Sequence, residues 1–215
     1  MNKTIVLTSN GMESVDVRKE IIKLLPKPSR QIELAHIITA SNVEKSTDYV
    51  KRDKRQMLKL GLQVEDIDLK GKTEKVLKSL LEGKDVIYVQ GGNAFYLLKY
   101  VRESGFHKVV KELIQKGVVY IGASAGSYIA CPTIEMATWK HQDKNRVGLK
   151  DLKALNLAPF LITVHYESKY KAILKKEIPK AKFPVRILRD NQALLISNGK
   201  VKFVGKGEEV KSSDL

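Results

Sequence analysis

The residues best suited to chemistry lie at positions 122–126, where the sequence reads Gly-Ala-Ser-Ala-Gly. This pentapeptide follows an apolar run typical of a buried strand and precedes residues that can start a helix. In such a strand-to-helix turn the central Ser124 sits on a strained backbone, and only small residues fit two positions to either side. The turn presents the hydroxyl outward and aims the Ala125 N–H at any oxyanion formed there. The pattern predicts a nucleophilic serine; a small-residue turn that cradles a phosphate is the alternative.

A second glycine turn, Gln90-Gly91-Gly92-Asn93, follows another apolar run. In an open parallel sheet, ligands bind at the carboxyl ends of the strands, and both turns are predicted to lie at such ends. Gly91 and Gly92 could therefore offer unobstructed N–H groups as the other half of an oxyanion hole. Asn93 is a candidate for substrate binding. A tight glycine turn with no ligand is the alternative.

A serine hydroxyl becomes an effective nucleophile only when a base removes its proton, and histidine is the usual base. The sequence has four histidines. His36 lies within a predicted strand and reads as structural, His107 begins a predicted helix, and His141 lies in an irregular polar stretch. His165 ends an apolar strand pattern, which places it with the two glycine turns. We therefore predict His165 as the base.

The third member of such a site is a carboxylate that holds the imidazole in the correct tautomer. Asp190 follows an apolar run and is predicted at a strand end, although Asp-Asn is also good turn chemistry. Glu135 and Glu167 are rivals, the first in the stretch after the serine turn and the second two residues from His165. The prediction is Asp190.

Apolar runs of strand length alternate with longer amphipathic segments over the first 121 residues. This alternation indicates parallel strands joined by right-handed crossovers, hence a three-layer α/β/α sandwich. Strands are predicted at residues 4–8, 32–38, 64–69, 85–89 and 118–121, and helices at 15–25, 42–60, 73–81, 95–103 and 107–116.

The pattern changes towards the C-terminus. After an apolar strand at residues 160–164, three short runs follow at 185–188, 193–197 and 201–204, and Asn198-Gly199 between the last two is a hairpin signal. The mostly parallel sheet is therefore predicted to end in antiparallel strands. We expect one domain over residues 1–215. The irregular segment 132–151 is long enough to be functional or mobile, and the sequence leaves open whether it closes over the site as a lid.

Composition limits the classes of function. The formal net charge is +15, but the basic residues are spread along the chain and their densest runs fall in helical patterns, where charge usually faces solvent, so no nucleic-acid partner is expected. With a single cysteine, Cys131, no internal disulfide can form. Neither an export signal nor a run long enough to span a bilayer is evident, so we expect a cytoplasmic protein without a membrane partner. A homodimer is left open.

Taken together, these motifs resemble peptidase family S51, which contains peptidase E and, more distantly, the cyanophycinases. The similarity covers about residues 85–200 in the family's order, whereas the first 80 residues match only loosely. The stretches that carry it are Val-Gln-Gly-Gly-Asn-Ala-Phe at 89–95, Gly-Ala-Ser-Ala-Gly-Ser at 122–127, Ala-Cys-Pro-Thr-Ile at 130–134, Leu-Asn-Leu at 155–157 with His165-Tyr166, and Leu-Arg-Asp-Asn-Gln-Ala at 188–193.

The resemblance implies a fold related to class I glutamine amidotransferases, with Ser124 where those enzymes carry a cysteine and His165 as its base. Asp190 stands where peptidase E has a glutamate, and some relatives resemble Ser-His dyads. Peptidase E also has an arginine-containing insert after the histidine, associated with the aspartyl side chain of its substrate. Here the chain runs straight into a helix, and Lys169 or Lys171 could supply positive charge without replacing an arginine fork.

We therefore predict a serine-type peptidase that hydrolyses short peptides, dipeptides among them, by acyl transfer. No metal or other cofactor is implied. The alternative is a family member that has lost turnover and binds a small molecule or peptide.

Overall fold

The computed structural model describes residues 3–215. They contain nine strands and seven α-helices, and strands and helices alternate through the first half of the chain. The strands are β1 Thr4–Thr8, β2 Glu33–Ile37, β3 Gln63–Ile67, β4 Val86–Val89, β5 Val119–Ala123, β6 Leu161–Thr163, β7 Val185–Ile187, β8 Gln192–Ser197 and β9 Lys200–Gly205. The helices are α1 Val15–Lys23, α2 Asp48–Lys59, α3 Glu74–Leu80, α4 Ala94–Glu103, α5 Phe106–Gln115, α6 Ala125–Ala130 and α7 Lys171–Glu177.

Seven of the strands form one twisted sheet in the order β3-β2-β4-β5-β1-β8-β9. The first five in this order are parallel, and β8 and β9 are antiparallel to their neighbours. Ile5 of β1 faces Tyr120 of β5 on one side and Ile196 of β8 on the other. The predicted α/β fold, with a mostly parallel sheet and an antiparallel C-terminal end, is confirmed. The sheet order makes β4, β5 and β1 consecutive, so their carboxyl ends meet at one edge.

Helices cover both faces of this sheet. Alternate strand residues point to opposite faces, so Ile5 and Leu7 pack into one core while Val6 packs into the other. The larger core lies under α3, α4, α5 and α6, and the smaller one under α1 and α2. Because the central strands are buried on both faces, they read as almost continuous apolar runs in the sequence.

The short strands near the C-terminus are organised differently from the prediction. Residues 185–188 were expected to join the antiparallel end of the main sheet, but β7 pairs in parallel with β6 in a separate two-stranded sheet. Leu161 faces Val185, and Thr163 faces Ile187. Spacing along the chain could not show this pairing, because the helix α7 between the two strands makes a parallel crossover as feasible as a hairpin. The hairpin of β8 and β9 is as predicted.

The long helix predicted at residues 42–60 is wrong in its first part. Residues Thr39–Val43 form a 3₁₀ helix, and α2 begins only at Asp48. Two contacts hold the 3₁₀ helix in place: the Ala40 carbonyl accepts a hydrogen bond from the Asn93 N–H at 2.9 Å, and the Asn42 side chain donates to Asp68 at 2.7 Å. These contacts come from distant parts of the chain, so local periodicity carried no sign of them.

Candidate active site

Ser124 occupies the turn between β5 and α6, as its motif indicates. Its backbone has a positive φ, with φ 48° and ψ −107°, which is costly for a residue with a side chain and persists only where the surroundings enforce it. The Ser124 N–H donates to the carbonyl of Thr8 at 3.1 Å. A Cβ on Gly122 would overlap the Gly126 carbonyl, and one on Gly126 would overlap the carbonyl of Val89. The small residues flanking the serine are therefore required by packing.

His165 lies two residues beyond the end of β6, with its imidazole against the serine. The Nε2 atom is 2.9 Å from the Oγ atom of Ser124, and the Nδ1 atom is hydrogen-bonded to the carboxylate of Asp190. The contact with the His165 ring is the main reason why the pKa of Asp190 is lowered. The structure thus brings together the three residues selected from the sequence as nucleophile, base and orienting acid.

Ser9 is a member of this group that the sequence reasoning missed. It directly follows β1, is fully buried, accepts a hydrogen bond from the backbone N–H of His165 at 2.8 Å and donates one to Asp190 at 3.1 Å. The sequence contained a sign of this position, because Ser9 also follows a strand whose carboxyl end lies at the same edge of the sheet. The same rule that predicts the turns after β4 and β5 at this edge also holds for the end of β1.

The glycine turn after β4 lies beside Ser124. A Cβ on Gly91 would stand 3.1 Å from the Cβ of Ser124, and one on Gly92, whose φ is +134°, would overlap the carbonyl of Ala40. Within residues 3–215, the N–H groups of Gly91, Gly92 and Ala125 have no hydrogen-bond acceptor. They are therefore available to a ligand bound at Ser124.

Three residues predicted to bind substrate have their polar side-chain atoms engaged by other parts of the chain. Asn93 caps α4, accepting from the Tyr96 N–H at 2.9 Å and donating to the Lys144 carbonyl at 3.1 Å. Lys169 pairs with the exposed Glu167 at 2.7 Å, and Lys171 donates to the carbonyl of Asp214 at 2.9 Å. The assignment of Asn93, Lys169 and Lys171 to substrate binding is not supported by their positions, because their polar atoms are engaged elsewhere.

The remaining histidines are also accounted for. His36 is fully buried in β2 between Asp66, 2.9 Å away, and Gln90, 2.8 Å away. His107 contacts the carbonyl of Val101 at 3.2 Å, and His141 is exposed. Of the rival acids, Glu167 pairs with a lysine, and Glu135 begins a short 3₁₀ helix, Glu135–Thr138.

Ser124 and His165 open into a cavity of about 390 Å³ at the carboxyl edge of the sheet. Gly91 and Gly92 line it, together with three acidic residues, Glu44, Asp53 and Asp143. Burial raises the pKa of Asp143 to about 6, even though its carboxylate accepts the Ala94 N–H at 2.9 Å. Burial likewise raises the pKa of Asp53. Asp143 lies in the irregular segment 132–151, so this segment contributes to the cavity wall.

Lys140, from the same segment, connects it to Val164, the residue before His165. Its ammonium is buried, donates to the carbonyl of Val164 and lies 5.1 Å from the centre of the Tyr170 ring. Burial lowers the pKa of Lys140 to about 8. No sequence signal marked this lysine among 39 basic residues.

The described residues show neither a metal site nor a helix that could span a membrane. Within residues 3–215, no three histidine, cysteine, aspartate or glutamate side chains are grouped so that they could hold a metal ion. None of the helices in that range has the length and apolar character needed to cross a membrane.

Comparison with known proteins places these features in a family. The model of peptidase family S51 matches residues 5–204. An uncharacterized peptidase of Listeria monocytogenes is 33% identical over 214 residues, which are 99% of both chains. Peptidase E of Shigella flexneri is 34% identical over 119 residues, covering 55% of this chain and 48% of the enzyme.

Solved structures agree. The crystal structure of a candidate peptidase E from Listeria monocytogenes EGD-e superposes with a TM-score of 0.84 and 30% identity, over 96% of this chain and all of that one. A peptidase from an acI-B1 actinobacterium shares the fold, with a TM-score of 0.73 and 16% identity over 100% of this chain and 92% of that one. The chain belongs to peptidase family S51 and is a peptidase.

Proposed function

We propose that the protein is a serine-type peptidase that hydrolyses short peptides, with Ser124 as nucleophile, His165 as base and Asp190 as the acid that orients it. The observation that carries this proposal is the 2.9 Å separation between the Ser124 hydroxyl and His165 Nε2, with Asp190 on the other ring nitrogen. That arrangement meets the geometric requirement for proton transfer from a serine to a histidine.

In the acylation step, His165 accepts the hydroxyl proton while the Oγ atom of Ser124 attacks the peptide carbonyl carbon. The negative charge that develops on the carbonyl oxygen is stabilised by the N–H groups of Ala125 and of Gly91 or Gly92, which have no acceptor of their own among the described residues. His165 then gives the proton to the departing amine, and the acyl group remains on Ser124.

In the second step, water replaces the amine. His165 removes a proton from the water, whose oxygen attacks the acyl carbon, and the serine leaves with that proton. Asp190 stays ionised throughout and stabilises the imidazolium formed in each step. The lowered pKa of Asp190 is consistent with this role.

The size of the cavity supports a short substrate. A volume of about 390 Å³ lies near the lower end of the range for small-molecule sites. It suits the few residues around one scissile bond and not an extended chain.

A fluorophosphonate probe with mass spectrometry tests the nucleophile. We expect one adduct on Ser124, no adduct in Ser124→Ala, and hydrolysis of a dipeptide or an aminoacyl coumarin amide by the native protein alone. Labelling at another residue, or equal hydrolysis by Ser124→Ala, would contradict the proposal.

Asp190→Asn tests the orienting acid. An amide can hold the ring only with the wrong nitrogen protonated, so kcat is expected to fall about 10²- to 10⁴-fold with little change in KM. Glu167→Gln is the matched control, because it neutralises a nearby exposed carboxylate that pairs with Lys169 and does not touch the imidazole. Equal kcat values for Asp190→Asn and the native protein would indicate a Ser-His dyad.

A further inference from the structure

The acidic residues of the cavity wall indicate the charge of the ligand that would bind there. Glu44, Asp53 and Asp143 line the same cavity as Ser124, and among residues 3–215 no lysine or arginine lines it. The cavity wall is therefore acidic, although the protein as a whole has a net charge of +15. The composition of the wall therefore favours a positively charged ligand and opposes an acidic one.

Asp53 provides an independent sign of a missing partner. Its side chain is only 2% exposed, and its Oδ2 atom accepts hydrogen bonds from Tyr88 at 2.8 Å and Gln90 at 3.0 Å. Its Oδ1 atom is buried with no hydrogen-bond partner among the described residues. A buried carboxylate oxygen without a donor is costly, and a cationic donor from the cavity would remove that cost.

Nearby basic residues do not fill this role. The Arg52 guanidinium contacts Asn10 at 3.2 Å and Glu13 at 3.1 Å and makes no hydrogen bond to the Oδ1 atom. The Lys140 ammonium donates to the carbonyl of Val164. Asp53 thus lines a cavity that also contains the reactive serine, and its buried Oδ1 atom has no donor among the described residues.

We propose that Glu44, Asp53 and Asp143 form a subsite for a positively charged group on the residue whose carbonyl Ser124 attacks, namely its α-ammonium or a basic side chain. This proposal rests on the serine mechanism above for the position of the scissile bond. It assigns the enzyme substrates that begin with a free amine or carry lysine or arginine at that position, and it excludes a preference for aspartyl substrates.

Binding to Ser124→Ala tests the subsite without turnover. Isothermal titration calorimetry would compare Lys-Ala, Ala-Ala and Asp-Ala, each with a free and an acetylated amine. Lys-Ala is expected to bind at least tenfold more tightly than Asp-Ala. Weaker binding of Ala-Ala after acetylation identifies the α-ammonium as the bound group; an advantage of Lys over Ala that survives acetylation identifies the side chain. Equal or tighter binding of Asp-Ala, or no binding of any dipeptide, would overturn the proposal.

Charge-neutral variants in the same background identify the acidic residues. Asp143→Asn keeps an oxygen for the Ala94 N–H and is expected to weaken Lys-Ala binding about tenfold. Glu44→Gln, at an exposed position, is expected to weaken it two- to threefold, about the value of a solvent-screened pair. Glu82→Gln, exposed and outside the cavity, is the control and should change nothing. Unchanged binding in both cavity variants would also overturn the proposal.

The two proposals can fail separately. Fluorophosphonate labelling and ester hydrolysis by the native protein report on Ser124 alone, whereas dipeptide binding to Ser124→Ala reports on the acidic residues alone. Labelling without charge preference would refute the subsite only; charge-selective binding without labelling would refute the nucleophile only.

Discussion

At the residue scale, the site depends on backbone conformations that side chains normally avoid. Ser124 and His165 both have positive φ, 48° and 54°. Each is held by a hydrogen bond to the last residue of β1 or to the residue after it: the Ser124 N–H donates to the Thr8 carbonyl, and the His165 N–H donates to the Ser9 hydroxyl. Thr8 and Ser9 thus position both the proposed nucleophile and the proposed base, because each of them accepts one of these two backbone hydrogen bonds.

We expect Ser9→Ala to reduce kcat about 10- to 100-fold with little change in KM, because it removes one contact that holds the His165 backbone and one that holds Asp190. Steady-state kinetics would measure the split between kcat and KM. In the Asp190→Asn background the same change should cost less, since part of its effect acts through the carboxylate.

Ser127→Ala is a matched control for Ser9→Ala. Ser127 is also fully buried, and its hydroxyl donates to the carbonyls of Thr8 and Gly122 at 2.8 Å without touching the imidazole or the acid. The two variants should lose similar stability in urea, about 1–2 kcal/mol, and differ in kcat. An equal fall in kcat for both would show that Ser9 acts through packing only.

At the element scale, the glycine turn after β4 joins two segments far apart in the chain. Gly92 packs against the carbonyl of Ala40 so closely that only a hydrogen fits, and the next residue donates to the same carbonyl. This contact holds residues 39–43 in a 3₁₀ helix, so that α2 begins later than its helical pattern suggests. Glu44, the residue after this 3₁₀ helix, lines the cavity.

Gly92→Ala is expected to destabilise the fold by about 2–4 kcal/mol, for two reasons. The new methyl group would overlap the Ala40 carbonyl, and the alanine backbone would have to adopt an unfavourable φ of +134°. Urea unfolding followed by circular dichroism measures the loss. Gly83→Ala separates the two causes, since Gly83 also has positive φ but nothing within 4 Å of a new Cβ. It should cost only about 1 kcal/mol; a similar cost at both positions would rule out the steric effect.

At the scale of the whole molecule, the site lies where independent parts of the chain meet. The serine comes from the central sheet, the histidine from the end of the small β6–β7 sheet, and the acid from the loop between β7 and β8. The segment 132–151 closes one side, tied by the buried Lys140 ammonium to Val164, the residue after β6. The geometry of the site therefore depends on the packing of the whole fold.

The burial of the Lys140 ammonium predicts that the stability of the fold depends on pH. Because the pKa of Lys140 is lowered to about 8 in the folded protein from an ordinary 10.5, the unfolded chain binds more protons between these values. The buried charge thus destabilises the fold below pH 8, and this cost disappears as the pH rises to 10.5. The free energy of unfolding should increase more with pH over this window in the native protein than in Lys140→Met, by on the order of 2 kcal/mol.

Urea titrations at pH 7.5, 9 and 10 would measure that difference. Lys150→Met, at an exposed position in the same segment, is the control and should follow the native pH profile. Parallel curves for the native protein and Lys140→Met would show that the ammonium is not buried in solution.

Local patterns were sufficient for much of this architecture. Buried strands such as β4 and β5 are apolar throughout, and the small residues around Ser124 mark a strained turn, so both could be read without tertiary information. The hairpin at Asn198-Gly199 was readable for the same reason, since two residues determine its turn. Asp190 and His165 were selected because each follows an apolar run.

Contacts between distant segments were beyond the reach of such patterns. The pairing of β6 with β7, the 3₁₀ helix before α2 and the links from Ser9 depend on partners up to 181 residues away. Lys169 and Lys171 looked suitable by charge and proximity in sequence, yet their ammonium groups bind Glu167 and the carbonyl of Asp214. The acidic cavity was also hidden, because Glu44, Asp53 and Asp143 come from separate elements.

By itself the sequence determined which side chains could react and the order of strands and helices, since both follow from residue types and short periodicities. Only the tertiary structure decided which partners those side chains meet and which charges surround them. The physical reason is that distances of about 3 Å and the exclusion of water arise from packing segments that the chain itself keeps far apart.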